Sequence, residues 1–201
     1  MNKNRTYKKT LLMLKTPPPF GGGEIRARWL SEHFRKEQSY IVFETRHSNK
    51  SRARMGVFSL RRVHEFLVNE LALVHLLVKH RPALVYVNLS QGTLGFIRDS
   101  VYFWTARCVG IRFMGELAGE RFRFLNGSRI MYLYGKYVLT HFSSVRVLGK
   151  QITNEMAHKG ITNVTVYDNG VFLPSLSSTS SDDDDGIVRL LFVGLHGPEK
   201  G

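Results

Sequence analysis

Cysteine and long apolar runs are almost missing from this chain. Cys108 is the single cysteine among 201 residues, so the sequence supports neither an intrachain disulfide framework nor a cysteine-based zinc site. No run of about 18 uncharged apolar residues occurs, and the run LLML behind the basic N-terminus is too short for the core of a signal peptide. These absences argue against a secreted scaffold and a membrane-spanning protein. They predict a cytoplasmic chain that is at most peripheral at the inner face of the membrane.

Acidic residues are also scarce. The chain has 16 Asp and Glu against 29 Lys and Arg, and four of the acids stand together at 182–185, so the remainder is more basic still. A cationic surface of this kind attracts polyanions. The excess fits nucleic acid, an anionic membrane face or a phosphorylated small molecule, and charge alone does not choose among them.

Six short apolar segments alternate with stretches of helical periodicity. The predicted strands cover 10–15, 40–45, 83–89, 111–117, 143–148 and 163–167. Apolar residues at three-and-four spacing predict a helix over 61–80, ended by Pro82, whose buried face is Val63, Phe66, Leu67, Leu71, Val74, Leu77 and Val78. The same pattern predicts a helix over 93–108, closed by Gly110, with an inward face of Phe96, Ile97, Val101, Trp104 and Cys108. The alternation predicts an α/β fold, a doubly wound Rossmann-like parallel sheet with helices on both faces.

The domain organisation follows from length and from one abrupt change in composition. Two hundred and one residues can bury one full core but not a second of ordinary size. We therefore predict one domain over 1–173 and a flexible Ser/Asp-rich linker over 174–186. The apolar run that follows, 187–201, is predicted to be the first strand and turn of an incomplete second domain.

A glycine-rich loop joins the first predicted strand to the first helix. Gly21, Gly22 and Gly23 follow three prolines, and we expect helix after Gly23. Without Cβ atoms a ligand can approach the main chain, and the N-terminus of the helix favours an anion. The alternative interpretation is a tight turn that needs positive φ angles. Because parallel sheets place ligand crevices at such crossings, the loop is a candidate diphosphate site.

Five segments, in order, carry a resemblance to a known family. They are PPPFGGGEIRARWLSEHF, VYVNLSQGTLGFIRDSVYFWTAR, MGELAGERFRFL, SSVRVLGKQITNEMAHKGITNVTVYDNGV and LLFVGLHGPEKG. Together they resemble the N-terminal half of retaining glycosyltransferases with the two-Rossmann-domain GT-B fold, family-four type, over residues 10–201. The resemblance implies a single GT-B half that holds the acceptor, while a C-terminal domain holds the nucleotide sugar.

The resemblance also implies roles for the residues of the glycine loop. Gly21, Gly22 and Gly23 match the loop that approaches the donor diphosphate, with Glu24 beside it, although a carboxylate there can equally cap the helix. Lys200 matches a basic residue that meets the donor phosphates. Leu195 stands where an arginine is usual in the family, and the family's glutamate pair, which grips the donor, is expected beyond Gly201.

The acceptor side is expected at the ends of two other strands. Asn88, Ser90 and Gln91 follow a predicted strand and should face the crevice, although Ser90 can instead cap the next helix. Arg121 is a further candidate acceptor contact. Ala118 replaces the histidine that precedes a glycine in the family, which puts family-type catalysis in doubt. The remaining candidate catalytic carboxylates are Glu116 and Glu120, for which surface charge is the alternative interpretation.

These observations predict a glycosyltransferase N-terminal domain that binds a glycan or lipid-linked acceptor and does not turn over alone. No cofactor is expected beyond the nucleotide-sugar co-substrate. No metal is expected either, because the histidines lack ligand spacing and the family generally works without one.

Two other functions remain open on the sequence alone. Glu44, about 20 residues after the glycine loop, could take ribose hydroxyls in a stand-alone nucleotide-binding Rossmann module. Arg26 argues against that module, since it stands at the third glycine of GxGxxG. The arginine-rich segment 48–62 could contact nucleic acid or anionic lipid. No recognition motif accompanies it, so we do not expect nucleic acid as a partner.

Overall fold

The computed structural model describes residues 9–18, 21–45, 59–119 and 122–167. Six strands and five helices alternate along these ranges. In chain order they are β1 (Thr10–Leu14), α1 (Gly22–Phe34), β2 (Tyr40–Glu44), α2 (Leu60–His80), β3 (Leu84–Asn88), α3 (Thr93–Cys108), β4 (Arg112–Leu117), α4 (Arg129–Thr140), β5 (Ser144–Leu148), α5 (Lys150–His158) and β6 (Val164–Tyr167). Each predicted strand is present within one residue at either end.

The strands form one parallel sheet in the order β2-β1-β3-β4-β5-β6. The chain leaves β1 towards β2 and then returns past β1 to β3, so the direction of winding reverses between β1 and β3. Loops that leave the carboxyl ends of such a strand pair diverge and leave room for a ligand. The α/β doubly wound prediction is confirmed.

Helices cover both faces of the sheet, but unequally. On one face α1 packs through Ala27 against Leu12, Leu14 and Tyr86. On the other face α2 to α5 bury the larger core cluster, whose aromatic centre includes Phe96, Phe103, Phe113 and Phe142. Alternate residues of the central strands therefore point into two apolar layers, as expected for a parallel sheet covered on both sides.

The predicted inward faces of two helices need correction. In α2 the residues turned towards the sheet are Asn69, Leu73 and Leu77, with Phe66 half-buried beside them. The other members of the predicted face are exposed: Val63, Leu67, Leu71, Val74 and Val78. The cause is that α2 is apolar on two sides, so periodicity alone cannot tell which side meets the sheet.

The inward face of α3 is likewise rotated from the prediction. Its buried residues are Phe96, Asp99, Ser100, Tyr102, Phe103 and Ala106. Ile97 and Val101 are exposed, and Cys108 is exposed as well, so the prediction of Cys108 as a core residue is wrong. The predicted helix end is confirmed, because Gly110 has a φ of 73° directly after the C-cap residue Val109.

The predicted domain boundary lies outside the described residues. All described residues belong to one compact unit. The linker at 174–186 and the incomplete domain at 187–201 stay predictions. In the described ranges no helix has the length and apolar content needed to cross a membrane.

Candidate functional site

The reversal of winding places four segments at one edge of the sheet. They are the end of β1 with Lys15, the start of α1 with Gly22 and Gly23, the end of β3 with Asn88, and the following Ser90. A Cβ on Gly23 would lie 3.8 Å from the amide nitrogen Nδ2 of Asn88, so α1 begins directly beside the end of β3. We call these five residues the switch-point site. The sequence analysis predicted the glycine loop and the segment with Asn88 and Ser90 as separate candidate sites, and the fold brings them together.

The glycines at the start of α1 are not required by the fold. Among the described glycines only Gly110, Gly149 and Gly160 have positive φ angles, so none of Gly21, Gly22 and Gly23 is left-handed. A Cβ on Gly22 would have no heavy atom within 4 Å, and one on Gly23 would make only an ordinary contact. The tight-turn interpretation therefore fails at these two positions. Helix begins at Gly22 rather than after Gly23, with Gly21 as an extended N-cap that makes no side-chain cap hydrogen bond.

Cations gather around the switch-point site. Burial lowers the pKa of Lys15, and the guanidinium of Arg98 lowers it further, while Glu24 and Asp99 oppose that effect. The ammonium of Lys15 lies 3.8 Å from Oε1 of Glu24, and Arg62 also contributes to the positive field at Lys15. Because the positive end of the α1 dipole points to the same place, the site favours an anion.

Two residues of α3 hold the loop after β3. The Ser90 backbone N–H donates to Oδ2 of Asp99 at 2.7 Å, and Arg98 donates to the Ser90 hydroxyl at 2.9 Å. Asp99 is buried and also binds Arg98, whose pKa it raises. The N-cap of α3 is Gly92, so Ser90 does not cap that helix. The hydroxyl and amide of Ser90 are instead fixed by the Arg98–Asp99 pair.

Gln91 is set against the end of β4. A Cβ on Gly119 would fall 2.0 Å from Nε2 of Gln91, so the amide fills the space that any larger residue at 119 would need. The Gln91 carbonyl accepts from the backbone N–H of Arg123 at 3.1 Å. The three predicted acceptor residues, Asn88, Ser90 and Gln91, thus lie on one short segment next to the start of α1.

Glu116 sits at the centre of a polar network beneath α1. Its carboxylate is fully buried and accepts from Arg26 of α1, from Tyr86 of β3 and, at 2.8 Å, from the hydroxyl of Tyr167 on β6. Burial raises the pKa of Tyr86, and the adjacent carboxylate raises it further. Burial alone would lower the pKa of Arg26, but Glu116, Tyr86 and Tyr167 together outweigh it and the net shift is upward. Both carboxylate oxygens are occupied, so this arrangement suits a residue that positions α1.

The alternative Rossmann assignment rested on Glu44, and Arg26 argued against it. Glu44, at the end of β2, accepts from the hydroxyl of Ser31 and from Arg35 at 2.7 Å, so it binds to α1. Arg26 does not obstruct the approach of helix and sheet, because its side chain reaches Glu116. The size of Arg26 at the third glycine position of GxGxxG is therefore accommodated, because its side chain forms an ion pair with Glu116.

Several predicted residues fall outside the described ranges. They are Glu120, Arg121, Lys200 and the arginine-rich segment up to residue 58. Their roles stay predictions. Within the described ranges no group of three or more His, Cys, Asp or Glu residues is arranged to hold a metal ion.

Sequence reasoning missed Lys15, Arg98 and Asp99. Lys15 directly follows the first strand, and that position was itself a signal, since the residue after a strand next to a reversal of winding faces the ligand side. Arg98 and Asp99 are adjacent charges in the middle of a helix whose one other charge is Arg107. A buried acid in such a helix implies a partner, although the sequence does not say which.

Comparisons with known proteins support the fold. No protein-family model matches the sequence, and no curated protein matches it. A UDP-N-acetylglucosamine 2-epimerase from Rickettsia bellii is similar in structure, with a TM-score of 0.51 and 12% identity over 80% of this chain and 44% of that chain. A second UDP-N-acetylglucosamine 2-epimerase gives a TM-score of 0.50 and 14% identity over 80% of this chain and 48% of the other.

At these identities the similarity shows the fold alone. The chain spans less than half the length of the two epimerases that it matches. The similarity supports a GT-B-type Rossmann-like domain. It does not support the assignment to the family-four type of glycosyltransferase. The described chain is thus a GT-B-like α/β domain whose switch point carries two sterically unneeded glycines and a lysine, Lys15, in the positive field of Arg98 and Arg62.

Proposed function

We propose that this chain is the acceptor-side domain of a GT-B glycosyltransferase of the family-four type. In this proposal the switch-point site approaches the diphosphate of a nucleotide sugar, and Asn88, Ser90 and Gln91 contact a glycan or lipid-linked acceptor. One observation carries it. Gly22 and Gly23 start a helix where neither φ nor packing needs glycine, beside a lysine whose pKa is lowered by burial and by Arg98.

The chemistry of the site fits a departing diphosphate. Glycosyl transfer develops negative charge on the leaving phosphate oxygens, and preorganised donors and cations stabilise it. Backbone N–H groups at the start of α1, the α1 dipole and Lys15 would act there, with Glu24 limiting the net charge. Lys200 stays a proposed contact to donor phosphates and Arg121 a proposed acceptor contact, and Glu120 is the remaining candidate catalytic carboxylate.

Glu116 has a different role in this proposal. Its carboxylate is enclosed by Arg26, Tyr86 and Tyr167 and is fully buried. It acts as a positioning residue that fixes α1, and with it the glycines. Contacts to the donor sugar require a second Rossmann domain, so we expect the described domain by itself to bind ligands without turnover.

A second candidate function comes from the structural neighbours. Both are UDP-N-acetylglucosamine 2-epimerases, which favours a domain of a sugar-nucleotide epimerase as the alternative. The two candidate functions differ in whether the domain binds a separate sugar acceptor. A glycosyltransferase domain binds a sugar acceptor along Asn88 to Gln91, whereas an epimerase acts on the nucleotide sugar itself.

The test is a titration of the isotope-labelled chain followed by amide NMR. Pyrophosphate, UDP and UDP-N-acetylglucosamine should shift the amides of Lys15, Gly22 and Gly23. Gly22→Ala should weaken this binding about tenfold, because a Cβ would lie between the ligand and the main chain. It should also leave stability unchanged or raise it by roughly 0.5–1 kcal/mol, because alanine favours helix.

Gly92→Ala is the matched control. Gly92 also has open space around it and lies at the N-terminus of a helix, as the N-cap residue of α3. The Gly92→Ala variant should bind pyrophosphate with the same affinity as the parent chain. Equal affinity of the Gly22→Ala variant, or shifts confined to the start of α3, would refute the proposed diphosphate contact.

Acceptor binding is tested separately with a panel of glycans and detergent-solubilised lipid-linked sugars. Shifts at Asn88, Ser90 and Gln91 with any of them support the glycosyltransferase assignment. Nucleotide-sugar shifts at Gly22 without any response to the panel favour the epimerase-type alternative.

A further inference from the structure

The helices α2, α3 and α4 carry an outward layer of exposed apolar residues. We call this set the outer helical face, and it consists of Leu60, Val63, Leu67, Leu71, Val74 and Val78 on α2, Leu94, Ile97 and Val101 on α3, and Ile130, Leu133 and Tyr137 on α4. On each helix the residues follow three-and-four spacing, so they form stripes. Leu71 is 70% exposed and Ile130 is 79% exposed. Scattered exposed leucines are ordinary, but stripes on three neighbouring helices make a patch that needs an explanation.

The three stripes belong to one surface. All three helices bury their inner residues, such as Leu73, Phe103 and Val138, in the same core cluster on one face of the sheet. Neighbouring helices also contact one another directly. The rings of Phe66 on α2 and Tyr102 on α3 lie 5.6 Å apart, and the hydroxyls of Ser100 on α3 and Tyr134 on α4 lie 2.6 Å apart. The exposed stripes therefore point away from the sheet side by side.

The charges on these helices have one dominant sign. Seven are cations: Arg61, Arg62, Lys79, Arg98, Arg107, Arg129 and Lys136. Three are acids, and none of these is left facing outward alone. Asp99 is buried against Arg98, Glu70 accepts from Thr105, and Glu65 pairs with Arg61 at 3.3 Å. Arg61 and Arg98 are engaged in two of these pairs, and the cations that stay exposed beside the apolar stripes include Lys79, Arg107 and Arg129. The outer helical face is therefore apolar, on helices that carry seven cations against three acids.

The apolar stripes together with the excess of cations indicate which kind of partner the outer helical face binds. A second copy of the same face would bring cations against cations, which opposes an isologous contact. A surface with apolar stripes and flanking cations instead matches the interface of an anionic bilayer, where apolar side chains enter the headgroup region and Lys or Arg meet lipid phosphates. With about 1.5 Å of rise per residue, the stripe from Leu60 to Val78 on α2 extends roughly 27 Å, enough to lie along a membrane surface.

We infer that the outer helical face docks this domain on an anionic membrane surface. The helices lie in the interface and do not cross it. This inference is independent of the proposed function, because it uses the helices on the opposite face of the sheet from α1 and no residue of the switch-point site.

The test is flotation of the full 201-residue chain with phosphatidylcholine vesicles, with and without phosphatidylglycerol. The chain should float only with the vesicles that contain phosphatidylglycerol, and added salt should release it by screening the cations. A Leu67→Ser/Leu71→Ser double variant should bind at least about tenfold more weakly. Its matched control is Trp29→Ser, an equally apolar change at a residue 41% exposed on α1, and it should float like the parent chain.

A second pair of variants tests the charges. Lys79→Gln and Arg107→Gln should each weaken vesicle binding about fivefold, whereas Lys36→Gln, at an exposed lysine just after α1, should not. These surface changes leave the core intact, and unchanged melting temperatures check that.

Three outcomes would overturn the inference. One is no flotation with phosphatidylglycerol vesicles at low salt. Another is flotation that survives the Leu67→Ser/Leu71→Ser change but is lost in Trp29→Ser. The third is a lipid-independent dimer in sedimentation that the same leucine changes convert to a monomer, since the face would then serve self-association.

Discussion

The guanidinium of Arg26 and the carboxylate of Glu116 join α1 to β4 through a hydrogen-bonded ion pair between residues 90 positions apart. Glu116 is fully buried and the Arg26 side chain is 22% exposed. Arg26 stands in the second turn of α1, shortly after the glycines, and reaches the sheet at Glu116. The pair links the packing of this helix to the geometry of the switch-point site.

Removing Arg26 should therefore be costly. Arg26→Met leaves a buried carboxylate without its cation, and we expect the free energy of unfolding to fall by about 3 kcal/mol. Urea denaturation measures this loss. The double variant Arg26→Met/Glu116→Gln removes the uncompensated charge as well and should recover a large part of it. Equal losses in the single and double variants would show that the ion pair does not account for the effect.

Lys15 should make anion binding depend on pH. Burial and Arg98 lower its pKa, so a bound anion, which favours the charged ammonium, must raise that pKa again. Affinity for pyrophosphate should therefore fall as pH rises through the pKa of Lys15 in the free protein. Lys15→Met should weaken binding about tenfold at neutral pH and remove the part of the pH dependence that the lysine causes. Lys79→Met, a matched change on α2, should match the parent chain, and an identical pH profile for Lys15→Met would contradict the assignment.

Glu70 should lower stability at neutral pH. Burial raises its pKa above the ordinary value of 4.5, partly offset by the Thr105 hydroxyl, and its Oε2 has no hydrogen-bond partner within the described chain. A group with a raised folded-state pKa contributes stability below its unfolded pKa, and that contribution is lost as pH rises through the folded value. Glu70→Gln should thus raise the free energy of unfolding by on the order of 1 kcal/mol at pH 7 and by little at pH 4. Thermal melts across this range measure it, and a gain that is independent of pH would point to another cause.

Gly115 and Gly22 should respond oppositely to alanine. A Cβ on Gly115 would lie 2.4 Å from Cδ1 of Leu89 and 2.6 Å from the ring of Phe142, both in the core. Gly115→Ala should cost about 1–3 kcal/mol by overpacking, whereas Gly22→Ala should cost nothing. Chemical denaturation of the two variants compares them directly. A neutral Gly115→Ala would mean that β4 can shift away from Leu89 and Phe142 more freely than the packing indicates.

Local pattern was enough to place the elements. The strands of a buried parallel sheet are short continuous apolar runs, and those runs end at prolines, glycines and polar residues that can be read directly. Pro82 and Gly110 mark helix ends for the same local reason, since one cannot continue a helix and the other adopts the left-handed conformation that closes it. The glycine loop was recognisable as a candidate anion site because it lies between a strand and a helix.

Tertiary structure alone decided which sides of these elements meet. Helix α2 is apolar on two sides, so only docking on the sheet determined that Leu73 is buried while Leu71 is exposed. Arg26 finds Glu116 only through the sheet order, and Lys15 comes under the influence of Arg98 only because β1 and β3 are neighbours. Such contacts join residues far apart in the chain, and no local pattern encodes them. The sequence by itself determined the strands, the helices and the loop, and the packing of the sheet determined the partners that give the loop its charge and leave an apolar face outward.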